Sequence, residues 1–227
     1  MKALILAGGY GKRLMPVTQH TPKPLIRLAG KPIIEWQMEW LEGEGVDSFV
    51  VLCGYLGHKI MRFIRRTRFG RLTEFSVERA PLGRGGAVKN ARELIEPDTE
   101  FLVMNGDIIS NMRVGSMRLG RYPAAITLVP LRSTYGVVRL RGDAVAGFDV
   151  NPLIRGMWLH AGGTLMRSDL VERLPDRGDM EDTLFAELSG TSQLKGVRYN
   201  GVYWRSIDSI KDLEEAEKDL KRRVVYK

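Results

Sequence analysis

The chain opens on a nearly continuous apolar run, "KALILA" (2–7), that stops at glycine. A strand with one wet face would alternate apolar and polar residues; a continuous run marks a strand covered on both faces, as in a parallel sheet. At "PIIEWQMEWLEGEG" (32–45) the rhythm changes: Ile33, Trp36, Met38 or Trp40, and Leu41 recur at helical spacing, and glycines end the segment. "VDSFVVLCG" (46–54) then reads as a second strand, "GHKIMRFIRR" (57–66) as a second helix and "TEFSVERA" (73–80) as a third strand. "GRGGAVKNARELI" (83–95) opens a third helix from a glycine-rich turn, and "EFLVMNGD" (100–107) is another buried strand with a polar end. Strand and helix in alternation predict a parallel sheet with right-handed crossovers.

Beyond about residue 120 the pattern shifts to short strands separated by turn signals: "AAITLVPL" (124–131), "GVVRLRG" (136–142), "AVAGFDV" (144–150) and "GMWLHAGGTLMR" (156–167). Helices return at "MEDTLFAELSG" (180–190) and "SIDSIKDLEEAEKDLKRR" (206–223), the last with acids early and bases late, as the helix dipole favours. The expectation is one continuous α/β domain over 1–227: a mostly parallel central sheet flanked by helices, with a small β annex in the second half. Ligands of open α/β sheets sit beyond the carboxyl ends of the strands, which puts "GGYGKR", "PLGRGG" and "NGD" on one rim.

Composition narrows the classes. The 227 residues are 44% hydrophobic and 27% charged, enough for a substantial core. A net charge of +8 is compatible with nucleic acid, an anionic membrane or phosphorylated small molecules. The basic clusters at 59–71 and in the terminal "KRRVVYK" lack interleaved stacking aromatics, so they read as solvated faces and no nucleic-acid partner is expected. The lone Cys53 excludes an intramolecular disulfide and a cysteine metal cluster; within "FVVLCG" it reads as a small buried hydrophobe. The first apolar run is too short for a signal segment or a membrane span, so the expected setting is cytoplasmic, with no membrane partner.

The chemistry gathers in "AGGYGKRLMPVTQHTPKPL" (7–25). A Walker loop would need glycine at Leu6 and Ser or Thr at Arg13; a dinucleotide fingerprint would need a small residue at Leu14. Neither fits. What remains is a glycine turn whose successive N–H groups can form an anion nest, followed by Arg13 and by Lys23 between Pro22 and Pro24. Two fixed cations and a nest suit a triphosphate. The plainer alternative is a tight strand exit with solvent-facing cations.

These residues resemble the sugar-1-phosphate nucleotidyltransferase family, whose signature LAGGxGxRLxPxTxxxPKPL is matched from Leu6 to Leu25. A second family element, ExxPLGxxGA, is met by Glu78, Pro81, Leu82, Gly83, Gly86 and Ala87, and a strand ending NGD by Asn105, Gly106 and Asp107. "YGVV" (135–138), "AGG" (161–163) and "MEDTLFAELSG" keep family order, so the resemblance covers residues 2 to about 220. It implies a Rossmann-like (GT-A-like) fold with a nucleotide-binding half near 1–120 and a sugar-phosphate half near 121–227. The implied reaction joins a nucleoside triphosphate to a sugar 1-phosphate and releases pyrophosphate, with Mg2+ as cofactor. The attacking phosphate oxygen is already ionised at neutral pH, so the task is alignment and charge relief rather than general base catalysis.

By resemblance, Arg13 holds the triphosphate and helps the leaving group, and Lys23 sits near the α-phosphate or the sugar phosphate. Asp107 ligates magnesium, which suits a hard carboxylate at a strand end. Leu6, Ala7, Gly8, Gly9, Gly11, Glu78 and Gly83 serve the nucleotide; Gly136, Asn151, Gly162 and Glu181 serve the sugar phosphate. The chain departs from the family in three places. "YWRSIDS" puts Ser206 where a second metal aspartate is usual, leaving Asp208 either as the substitute ligand or as a cap of the final helix. "FDVNPL" has Val150 and Asn151 where EKP is common, with Arg155 as a nearby cation, and Arg84 replaces a common threonine. The preferred reading is mannose-1-phosphate guanylyltransferase-like. Alternatives are cytidylyl transfer to a non-sugar phosphate and a catalytically weak regulator that binds nucleotide sugars. Family members often associate, which leaves a homo-oligomer open, and no C-terminal β-helix domain is expected.

Overall fold

The computed structural model describes residues 1–97 and 99–221. In chain order the strands and helices are β1 (Lys2–Ala7), β2 (Arg27–Leu28), β3 (Lys31–Pro32), α1 (Ile33–Gly43), β4 (Ser48–Cys53), α2 (Gly57–Ile64), β5 (Thr73–Val77), α3 (Gly83–Asn90), β6 (Glu100–Asn105) and β7 (Ile108–Ser110). Then follow β8 (Ala124–Arg132), β9 (Val137–Arg141), β10 (Ala144–Asp149), β11 (Leu153–Arg167), α4 (Ala186–Gly190), β12 (Leu194–Arg198), β13 (Trp204–Ser206) and α5 (Ile210–Lys221).

Seven strands form the central sheet in the order β12-β8-β11-β6-β1-β4-β5. β1 runs parallel to both β4 and β6, β5 is parallel to β4, and β12 is parallel to β8. This is the mostly parallel sheet that the apolar runs predict, Rossmann-like as the family resemblance implies. β1 shows why those runs do not alternate. Ala3, Ile5 and Ala7 face a layer containing Met38 and Leu41 of α1 and Ile60 of α2, while Leu4 faces Val88 of α3 and Leu184 on the other side. Each face is buried against helices, so every position after Lys2 is apolar. Fully burying a side chain such as Phe49 or Phe101 contributes roughly 1.5–3 kcal/mol.

α1 ends as its glycines predict: Gly45 takes a left-handed φ of 87° and Val46 N–H donates back to the Leu41 carbonyl. Trp40 is core, with its indole N–H on the Met112 carbonyl. Cys53 is buried, and its thiol is pushed up to about 12 by burial and then by the charge of Glu78.

Several sequence expectations are corrected. β11 runs antiparallel to both β6 and β8, and it begins at Leu153 rather than 156. An apolar run carries no direction, so only pairing reveals this. The expected helix at 83–95 stops at Asn90 and continues as a 3-10 turn at Arg92–Leu94; with three glycines among its first four residues, α3 has little intrinsic helix propensity. The expected helix at 180–190 starts as a π-helical turn, Glu181–Phe185, with Phe185 N–H on the Met180 carbonyl. α2 ends at Ile64 and β5 at Val77, short of their expected ends at 66 and 80. The last two residues of the expected final helix, Arg222 and Arg223, and the basic tail at 222–227 lie outside the described residues. Among the described residues no helix is long and apolar enough to cross a membrane.

The strand register builds the rim. Ala7 of β1 pairs with Cys53 of β4, Cys53 with Val77 of β5, and Leu6 with Asn105 of β6. The segments that follow, at Gly8, Gly54, Glu78 and Gly106, therefore leave the sheet side by side.

Candidate active site

The loop after β1 folds on itself through three 3-10 turns, Lys12–Leu14, Val17–Gln19 and Lys23–Leu25. Its pivot is Thr18, fully buried, whose hydroxyl donates to the Gly11 carbonyl at 2.9 Å. Gly11 has φ 61°, and a Cβ there would lie 2.8 Å from the Thr18 methyl, so both conformation and space require glycine. Among the described residues, the N–H groups of Gly9, Tyr10 and Gly11 donate to no protein acceptor, which leaves them open to solvent or a ligand.

Glu78 explains two other glycines. Its carboxylate accepts from Leu82 N–H at 3.0 Å, and its free edge lies against the backbones of Gly8 and Gly54. A Cβ would come within 2.6 Å of Glu78 Oε1 at Gly8 and within 2.4 Å at Gly54. Gly54 was not anticipated from the sequence; the signal was there, since it is the residue directly after a buried strand on the ligand rim. Gly54→Ala would also crowd the Gly8 carbonyl at 2.7 Å, so it is expected to cost roughly 1–3 kcal/mol of stability in a thermal melt. A Cβ at Gly9 would meet nothing within 4 Å, so Gly9→Ala should melt like wild type and weaken only triphosphate binding. A Gly9→Ala protein with unchanged nucleotide affinity would remove this turn from the phosphate site.

The centre of the site is Lys23. Its turn places the ammonium 2.6 Å from Asp107 Oδ2 and 2.8 Å from Asp208 Oδ1, partners 84 and 185 residues away. Arg13 Nη2 lies 2.7 Å from the same Asp208 oxygen, and Ser206 Oγ donates to Asp208 Oδ2 at 2.7 Å. The convergence comes from pairing of β13 with β7: Ser206 lies opposite Ile108, and Ile207 N–H donates to the Asp107 carbonyl. Burial would raise the Asp208 carboxyl, but the hydrogen bonds from Lys23 and Ser206 and the charges of Lys23 and Arg13 hold it below its ordinary value. Asp208 does not cap α5. Ser209 does, accepting from Asp212 N–H and donating to its carboxylate. These groups line a cavity of about 250 Å³ that joins the glycine loop, Gly106–Asp107 and Asp208.

Asp107 stands on a turn with no slack. Gly106 N–H donates to the Leu6 carbonyl, a Cβ at Gly106 would lie 2.4 Å from that oxygen, and buried Gln37 donates to the Asn105 carbonyl at 2.7 Å. Gly162, with φ 78°, packs its backbone on the Asn105 side chain. Asp107 Oδ1 is buried without a hydrogen-bond partner. Such an oxygen beside a second carboxylate fits a hard divalent cation. Among the described residues no group of three or more His, Cys, Asp or Glu converges, so the remaining ligands would be water and phosphate oxygens, as magnesium accepts.

The other candidate residues lie apart from this cluster. Gly136 packs on the Phe148 ring in the β9–β10 annex, and the exposed Asn151 accepts through its carbonyl from Arg132. Among the described residues no hydrogen bond or ion pair joins them to Lys23 or its carboxylates. Glu181 is half-buried: Oε1 pairs with Arg84 Nη1 at 3.0 Å and Oε2 has no partner. Burial raises its carboxyl, against the pull of a backbone hydrogen bond and of Arg84. Gly83 has φ 77°, and a Cβ there would meet the Gly178 backbone at 2.6 Å.

The family model described as "Nucleotidyl transferase" matches residues 2–223. The chain is 33% identical over 230 residues to the mannose-1-phosphate guanylyltransferase catalytic subunit beta of Danio rerio, covering 93% of this chain and 62% of that protein. It is 30% identical over 237 residues to the bifunctional protein GlmU of Methanococcus maripaludis, covering 100% of this chain and 56% of that one. The chain thus spans less than two thirds of the length of these relatives. Among solved structures it is similar to HddC of Yersinia pseudotuberculosis complexed with GMP-PN, with TM-score 0.74 and 26% identity over 96% of this chain and 99% of that one.

Proposed function

From a chain that belongs to the nucleotidyl transferase family, we propose a protein that transfers a nucleotidyl group from a nucleoside triphosphate to a sugar 1-phosphate, with guanylyl transfer to a mannose-like acceptor preferred. The observation that carries this reading is Lys23 held between Asp107 and Asp208 at the mouth of a loop with open N–H groups. The preference for guanine and mannose is supported by the relatives named as mannose-1-phosphate guanylyltransferases and by the neighbour complexed with GMP-PN.

A sugar-phosphate oxygen attacks the α-phosphorus, the α–β bridge oxygen leaves with pyrophosphate, and no proton need be removed from the nucleophile. The open amides and exposed Arg13 bind the β- and γ-phosphates, and Lys23 moves its charge from the carboxylates to the α-phosphate. Asp107 and Asp208 would hold Mg2+, which when bound supplies charge neutralisation at the phosphates. Ser206 acts through Asp208, keeping one of its oxygens turned toward Lys23 and Arg13. Glu78 orders the wall beside the nucleotide, and Glu181 offers an acceptor to sugar hydroxyls.

The test is pyrophosphate release with Mg2+ across a matrix of nucleoside triphosphates and sugar 1-phosphates. GTP with mannose 1-phosphate should give the fastest release. Release by a different pair at tenfold higher kcat/KM would overturn the preference, and no release with any pair from folded protein would overturn the transfer itself.

A further inference from the structure

The glycine turn that opens α3 is occupied by protein. Gly85 and Gly86 N–H both donate to the Gly178 carbonyl, Gly178 N–H donates to the Leu82 carbonyl, and Lys89 pairs with Asp176 at 2.9 Å. A Cβ at Gly85 would lie 2.9 Å from Pro175, and one at Gly86 would lie 2.6 Å from the Asp176 carbonyl. The glycines are there so that segment 175–179 can dock; the helix N-terminus has no spare donors to offer a phosphate at these positions. On top of this docking lies Arg84. Its backbone N–H donates to Asp179 Oδ1 at 2.8 Å, its Nη2 to Asp179 Oδ2 at 3.0 Å, and its Nη1 pairs with Glu181 Oε1 at 3.0 Å.

We propose that Arg84 is a positioning residue for the sugar side: it ties the nucleotide-side helix α3 to the 176–181 segment and fixes Glu181 so that one carboxylate oxygen is held and the other is left to accept from a sugar hydroxyl. This rests on the transferase reading above. The chemistry is specific to arginine. A guanidinium can serve two carboxylates with separate nitrogens in one plane, whereas the threonine common in the family at this position has one hydroxyl and could not bridge both. Glu181 Oε2 is the observation that points to a ligand, because a buried carboxylate oxygen without a donor is costly unless something supplies one. Arg84 is neutralised by Asp179 and Glu181, so an anionic group on the ligand gains little here and a hydroxyl donor gains more. The same tie makes the two half-sites one mechanical unit, since movement of Asp179 or Glu181 pulls on the turn that begins at Leu82, the residue that also holds Glu78.

The experiment is steady-state transfer by wild type, Arg84→Thr, Arg84→Lys, Glu181→Gln and the Arg84→Thr/Glu181→Gln double variant. Arg84→Thr should raise KM for the sugar 1-phosphate about tenfold and change KM for the triphosphate less than twofold, with Arg84→Lys in between. The double variant should be no worse than Glu181→Gln alone, because Arg84 acts through Glu181. A rise in triphosphate KM, or a full additional tenfold in the double variant, would show that Arg84 meets the ligand directly and would overturn the proposal. Calorimetry with GDP-mannose and GDP separates this from failure of the transfer reading. Arg84→Thr should weaken GDP-mannose about tenfold and leave GDP unchanged even if no turnover is seen, and equal losses for both ligands would reject the positioning role.

Discussion

Asp107→Asn is expected to lower nucleotidyl transfer by about three orders of magnitude while leaving the fold in place. The side chain keeps its size, and an amide oxygen can still accept from Lys23, whose ammonium retains Asp208 at 2.8 Å. The stability cost should therefore be about 1 kcal/mol, in the range of a partly exposed ion pair with a surviving partner. What is lost is charge: Asp107 Oδ1, buried and unpartnered, is the oxygen with most to offer a divalent cation, and an amide binds Mg2+ far more weakly than a carboxylate. Kinetics with the preferred substrate pair at saturating Mg2+, alongside a thermal melt, read both halves. Turnover above a tenth of wild type in a folded Asp107→Asn protein would remove Asp107 from the metal site.

Lys23→Met should lower kcat/KM by about a hundredfold or more, and excess Mg2+ should not restore it, since in the proposed mechanism the missing cation serves the α-phosphate. The same variant carries a second signature. Asp107 and Asp208 both contact the ammonium of Lys23, whose side chain is only 14% exposed, so its removal leaves two neighbouring carboxylates repelling each other. A divalent cation relieves that repulsion. Mg2+ should then raise the melting temperature of Lys23→Met more than that of wild type, because ligands that bind only the folded state stabilise it by mass action. Equal Mg2+ responses in the two proteins would mean that Asp107 and Asp208 do not share a cation.

Much of the fold could be read from residues in order. The runs at 2–7, 46–54 and 100–107 contain β1, β4 and β6, because burial on both faces keeps the middle of each strand apolar. The glycine loop, Lys23 between its prolines and the NGD turn were equally visible. The reasons behind the glycines were not. Gly8, Gly83, Gly85 and Gly86 look alike on paper as phosphate-approach residues, yet a Cβ at Gly8 would strike Glu78, and at the other three it would strike segment 175–178. Gly9, beside Gly8, instead opens onto free space. What a missing side chain makes room for depends on a neighbour far along the chain, and sequence spacing does not contain it.

Asp208 shows the same division. Its two readings, cap of the final helix or substitute metal ligand, both rest on local patterns in the sequence, and the structure overturns the cap. The choice was made by β13 pairing with β7 so that Ser206 meets Ile108, and by Ser209 taking the cap. Residue order was enough for the strands and helices that periodicity and glycine impose, for the glycine-rich loop behind β1 and for the family to which the chain belongs. The tertiary structure alone decided the direction of β11, which carboxylates share Lys23, and that Arg84 spans the two halves. The physical reason is that propensity and burial pattern act between near neighbours, whereas an ion pair spanning 185 residues forms only where strand register brings its two ends within hydrogen-bonding distance.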